Sequence, residues 1–145
     1  MSTSSWLSTH LLDVHSGNPA NGVKVELRYT SSLERAQQFQ FETFLGEAFT
    51  DINGRISDWI TSDDNINKQY VHGSPQIGYY QLKFYIREYF IKQNQENIFW
   101  PIISVQFEVT QKDVDSNRHF HVPYLVSNYG LTTYRGSNNN TNSKL

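Results

Sequence analysis

Apolar and polar residues alternate along most of this chain with the two-residue period of half-buried strands. Val23 to Thr30 is the cleanest run, with Val23, Val25, Leu27 and Tyr29 on one face and Lys24, Glu26 and Arg28 on the other. Trp6 to Val14 alternates more loosely and stops at His15-Ser16-Gly17-Asn18-Pro19, which reads as a first strand followed by a turn. Ser31 to Gln38 is polar and reads as a connection. Phe39 to Phe49 reads as a third strand, with Phe39, Phe41, Thr43 and Leu45 on one face until Gly46 disturbs the register in the manner of a bulge. Asp51-Ile52-Asn53-Gly54 is a turn signal that hands on to a short strand from Arg55 to Trp59. Thr61 to Pro75 is polar and reads as a loop, with Ser62 or Asp63 available to cap a helical turn.

Tyr79 to Tyr85 has strong strand propensity, and the period then changes: Ile86, Tyr89 and Phe90 fall at helical spacing, with Arg87 and Lys92 outward. Ile102 to Thr110 returns to alternation, and Asp113 to Arg118 reads as a polar turn. The last folded stretch, from His119 to Ser137, reads as a hairpin with His119, His121 and Pro123 on one face and Phe120, Val122 and Tyr124 on the other. Its turn is Ser127-Asn128-Tyr129-Gly130, where Asn128 and Gly130 tolerate positive φ, and it returns Tyr134-Arg135-Gly136-Ser137 alongside the histidines. About eight strands at regular spacing with one short helix give an all-β fold class, an antiparallel β-sandwich.

At 145 residues the chain fits one domain, placed over residues 6–137, with a flexible start at 1–5 and a polar, disordered tail at 138–145. A formal charge of −2 with interspersed signs leaves no electrostatic footprint for nucleic acid or an anionic membrane. The absence of cysteine excludes disulfides, thiol nucleophiles and thiolate zinc sites. No apolar run approaches the roughly 20 residues of a membrane span, and MSTSSW is not a secretory start, so a soluble intracellular protein is expected.

The candidate chemistry is His10 inside the first strand, Arg55 just past a tight turn, and the pair His119 and His121. Each has a plain reading beside it. A strand histidine is commonly a hydrogen-bonded structural residue, and an arginine after a turn is commonly a solvated strand end. Histidines two apart on a strand fit a structural role, a site role or a shared metal, although no third ligand is evident nearby. His15 and His72 read as surface loop residues.

Four separated blocks carry a family resemblance: Leu7-Ser8-Thr9-His10-Leu11-Leu12-Asp13 followed by Gly17-Asn18-Pro19-Ala20; Asn53-Gly54-Arg55; His119-Phe120-His121-Val122-Pro123; and Tyr134-Arg135-Gly136-Ser137. In order from Trp6 to Ser137, the chain resembles the transthyretin-related 5-hydroxyisourate hydrolases, and the terminal Tyr-Arg-Gly-Ser separates these from transthyretin itself. The resemblance implies a transthyretin-like sandwich, a homotetramer with its sites in a channel between dimers, and hydrolysis of 5-hydroxyisourate to 2-oxo-4-hydroxy-4-carboxy-5-ureidoimidazoline in urate breakdown. It implies a site of His10, Arg55, His121 and Ser137, with Tyr134 binding substrate beside His10 and Arg55, and neither metal nor organic cofactor. His119 would line the channel. Asn53, Phe120, Tyr124 and Asn128 depart from the family's usual residues without removing any of these side chains, and Tyr124 is expected to reshape the wall of the site or the subunit contact.

The alternative is a non-catalytic carrier of a small aromatic ligand in the same channel, and a second is a hydrolase using a metal on His119 and His121. Ser143-Lys144-Leu145, when it is the true C-terminus, is a peroxisomal address, so a peroxisomal import receptor is an expected partner and the peroxisome the expected location, with the cytoplasm as the alternative.

Overall fold

A computed structural model describes residues 5–56, 59 and 73–137. Its strands are β1 (Leu7–Asp13), β2 (Asn18–Pro19), β3 (Lys24–Thr30), β4 (Thr43–Phe49), β5 (Arg55–Ile56), β6 (Gly78–Phe84), β7 (Ile103–Val109), β8 (Phe120–Val126) and β9 (Leu131–Thr133). Among the described residues three short helices join them: α1 (Leu33–Gln37), α2 (Ile86–Lys92) and α3 (Gln111–Asp115). One sheet runs β2-β1-β8-β9 with β5 also on β1, and the other runs β4-β3-β6-β7. The chain is an all-β sandwich.

Alternation places the strands' apolar residues between the sheets, with Leu7 and Leu11 of β1 buried alongside Val25, Leu27, Leu82 and Phe84 of the facing sheet. At one end of the core Trp6 meets the ring of Tyr80 edge-on at 5.0 Å and that of Phe120 at 5.7 Å. At the other, Tyr124 packs on Phe84 with ring centroids 4.1 Å apart. The Tyr124 side chain therefore faces the core, not the wall of a site or a subunit contact, and burial drives its phenol pKa up. The bulge anticipated at Gly46 is present, since Leu27 pairs with Gly46 but Arg28 with Phe44, leaving Leu45 as the extra residue.

Several expectations change. The pairing of β1 with β8 is parallel, so the first sheet is mixed. Alternation fixes a strand's faces but not the direction of its neighbour, and strands this distant in sequence are free of the hairpin constraint. The described residues hold three helices, not the one expected, because α1 and α3 bury no residue and so leave no apolar period. They stand on caps: Ser32 Oγ accepts from the Arg35 amide at 3.1 Å, and Thr110 and Asp113 form a reciprocal capping box. Phe39, expected in a strand, follows α1 in left-handed conformation (φ 58) and is exposed. Asn128 and Gly130 adopt no positive φ; the turn is closed instead by Ser127, whose amide donates to the Gly130 carbonyl and whose hydroxyl accepts from the Gly130 amide, both at 3.0 Å. Ser5 already belongs to the folded chain, buried with its hydroxyl accepting from the Leu7 amide at 3.0 Å. The loop at 61–72, His72 and the tail at 138–145 lie outside the described residues.

Candidate active site

Strand parity builds the site. In β1 the residues Leu7, Thr9, Leu11 and Asp13 are buried, so Ser8 and His10 look outward from the sandwich. The parallel register sets Ser8 opposite His121 and His10 opposite Pro123, and residues opposite one another share a face. On the other side of β1, antiparallel pairing sets Arg55 opposite His10. His10, Arg55 and His121, three of the residues proposed from sequence, thus meet on one outward face. Ser8, Thr9, Asp51, Asn53, Arg55, Ile56 and His121 line an open cleft of about 450 Å³ there.

Arg55 is held by the turn before it. The Asp51 carboxylate accepts from the Asn53 amide at 2.9 Å and the Arg55 amide at 3.0 Å, while the Asp51 amide donates to the Arg55 carbonyl at 3.0 Å. Gly54 allows this turn to press on β1: its φ is 73, and a Cβ on it would lie 2.5 Å from the Leu11 carbonyl oxygen. The guanidinium is exposed and makes no ion pair among the described residues, which leaves its planar fork available to an anionic or carbonyl-rich ligand.

His121 is fixed on both sides. Its Nδ1 lies 2.8 Å from Ser8 Oγ, which is also 3.1 Å from Nε2 of His119. Its carbonyl accepts from the Gly136 amide at 2.6 Å. Burial, followed by the charges of His119, His10 and Arg55, holds the His121 pKa below the usual histidine value, and burial alone lowers that of His119. A ring kept neutral near pH 7 is available to take a proton. The facing nitrogens of His119 and His121 are both engaged by one hydroxyl, and no group of three metal-ligating side chains gathers among the described residues.

The C-terminal motif divides. Gly136 packs closely on His121, and its amide donates to the His121 carbonyl. Ser137, the next residue, is exposed. Tyr134 and Arg135 are exposed and border a second cleft of about 250 Å³, walled by Val105, Phe107, Phe120 and Val122. Pro123 has no N–H for the ladder, its carbonyl takes the Thr133 hydroxyl at 3.0 Å, and β9 ends at Thr133. The register nonetheless carries on, since the Gly136 amide meets the His121 carbonyl, and Tyr134 therefore stands opposite Pro123.

A family model described as the HIUase/Transthyretin family matches residues 7–136. The chain belongs to the HIUase/transthyretin family. A 5-hydroxyisourate hydrolase of Mus musculus is 35% identical over 134 residues, covering 92% of this chain and 97% of that protein. A probable 5-hydroxyisourate hydrolase of Caenorhabditis elegans is 34% identical over 131 residues, covering 90% of this chain and 81% of that one. Among solved structures, the 5-hydroxyisourate hydrolase of Klebsiella pneumoniae superposes with a TM-score of 0.63 at 27% identity, covering 94% of this chain and all of that one.

Within this HIUase/transthyretin chain, sequence reasoning gave Ser8 and Asp51 no part in the site. Asp51 had a local signal, a carboxylate two residues before an amide in an Asp-x-Asn-Gly turn. Ser8 had none, because its partners lie 111 and 113 residues away.

Proposed function

We propose that this chain hydrolyses 5-hydroxyisourate to 2-oxo-4-hydroxy-4-carboxy-5-ureidoimidazoline, with His10, Arg55 and His121 acting together on the outward face of the first sheet. The enzyme class comes from the family: relatives named for this hydrolase align over nine-tenths of the chain, and the chain is a hydroxyisourate hydrolase. The observation that carries the finer reading is the convergence, from three strands onto one face, of two outward imidazoles and a guanidinium that makes no ion pair among the described residues.

Water adds its oxygen to a ring carbonyl carbon, the N–acyl bond breaks, and the leaving nitrogen takes a proton. One imidazole takes a proton from water, and the imidazolium so formed returns that proton, directly or by way of the other ring, to the leaving nitrogen. Arg55 offers a permanent, bidentate charge to the substrate oxygens and stabilises the oxyanion as it forms. Ser137, next to the tether on His121, holds the water or the ring, and the Tyr134 hydroxyl contacts substrate once a neighbouring subunit covers the face. A homotetramer supplies that cover, and light scattering on the purified chain tests it. Where Leu145 is the terminal residue, Ser143-Lys144-Leu145 directs import to the peroxisome, which a fluorescent fusion with and without the tripeptide tests in cells.

The chemical test is carbon-13 spectroscopy of freshly generated substrate. Wild type is expected to form the carboxylated, ring-opened product ahead of spontaneous decay, and His121→Ala to lower turnover by orders of magnitude while keeping its oligomeric state. Equal product formation by His121→Ala would remove His121 from the reaction.

A further inference from the structure

We propose that Ser8 is a positioning residue that sets which ring nitrogen of His121 carries the proton, accepting from Nδ1–H so that Nε2 is left bare as the base. This rests on the hydrolase reading above.

Serine has one proton and two lone pairs, so between two ring nitrogens it donates to at most one. Ser8 Oγ stands 2.8 Å from His121 Nδ1 and 3.1 Å from His119 Nε2, with no third side-chain partner among the described residues. Both rings are half-buried, and the charged and titratable groups facing His121 are His119, His10 and Arg55. All three are cationic or become so on protonation, which favours neutral rings at neutral pH.

Two arrangements then satisfy both neutral rings. In one, Ser8 donates to His121 Nδ1, and Nε2 carries the proton and cannot act as a base. In the other, His121 Nδ1–H donates to Ser8 and the Ser8 proton goes to His119 Nε2, leaving His121 Nε2 free. The second survives the reaction without rearrangement, because protonation at Nε2 leaves the Nδ1–H bond in place. The first requires the hydroxyl to turn at the moment of proton transfer. The bare nitrogen also lies on the side of the C-terminal motif: Cδ2, its bonded neighbour, is 3.3 Å from where a Cβ on Gly136 would stand. His119 gains a part as well, as the acceptor that takes the Ser8 proton away from His121.

The test uses the full chain, with Ser8→Ala removing the hydroxyl and Ser8→Thr retaining it. Long-range proton–nitrogen spectra of the histidine rings report the tautomer independently of turnover. Wild type and Ser8→Thr are expected to carry the His121 proton on Nδ1, and Ser8→Ala to move toward the Nε2–H form. In the hydrolysis assay kcat of Ser8→Ala should fall about tenfold, the size of one hydrogen bond, with KM within about twofold and with recovery in Ser8→Thr. Turnover by a wild-type chain whose His121 is protonated on Nε2 would overturn the role of Ser8 alone, as would an unchanged tautomer and kcat in Ser8→Ala. A wild-type chain with the proton on Nδ1 and no acceleration of hydrolysis would instead overturn the hydrolase reading.

Discussion

Replacing Gly136 by alanine puts a methyl carbon 3.0 Å from the His121 carbonyl oxygen, 3.3 Å from its Cδ2 and 3.4 Å from its Cβ. The backbone of Gly136 is outside the positive-φ region, so alanine meets no conformational penalty and the cost is contact alone. The His121 carbonyl belongs to β8, which is paired along its whole length with β1, and it yields less readily than the C-terminal segment. The segment therefore lifts, breaking the 2.6 Å bond from the Gly136 amide. Because peeling a chain end relieves the clash, the stability loss is capped near that bond, about 1 kcal/mol, or roughly 2–4 °C in Tm. The functional loss is larger, since His121 loses its backing and Ser137 its position; misplacement on this scale costs about 10- to 100-fold in kcat/KM. Urea unfolding followed by tryptophan fluorescence gives the first quantity, and hydrolysis kinetics give the second. Full activity in Gly136→Ala would refute the reasoning, and so would a stability loss above about 3 kcal/mol, which would mean that the segment cannot peel.

Asp51→Ala removes the acceptor of the Asn53 and Arg55 amides and should cost about 1–2 kcal/mol while raising KM more than it lowers kcat, which urea unfolding and steady-state kinetics check. Tyr89→Phe deprives the buried Asp13 carboxylate of a hydroxyl donor at 2.9 Å, far from the cleft; a loss of about 1.5–3 kcal/mol with unchanged kcat is expected from the same pair of assays. Lowered pKa values at His119 and His121 mean that the unfolded chain binds more protons below the ordinary value of 6.5. Their contribution is complete above that pH and is lost as pH falls through the folded values, and the acid limb of kcat/KM, which needs neutral His121, should lie below 6.5; a limb above it would contradict the placement of these rings.

What the sequence revealed follows from which interactions are local. The faces of β3 and β8 and the buried stripe of α2 were legible because side-chain direction follows the strand and helix periods directly. The parallel seam of β1 on β8 was not, and with it went the meeting of Ser8 and His121, since no local pattern encodes the partner of a strand from the other end of the chain. Helices α1 and α3 were hidden because capping side chains, not apolar burial, hold them. The return of the C-terminal segment alongside the histidines was legible from the hairpin turn, and the Gly136 amide on the His121 carbonyl bears it out, while Pro123, with no N–H to give, ends the regular ladder at Thr133.

The first experiment is the decay of freshly generated 5-hydroxyisourate followed by ultraviolet absorbance, comparing buffer, wild type and Arg55→Ala with chelator present throughout. Acceleration by wild type and its loss in a folded Arg55→Ala chain is the expected result, placing hydrolysis on the face shared by His10, Arg55 and His121. Buffer-rate decay with a folded wild-type chain would contradict it and turn the outward cleft into a binding site without chemistry.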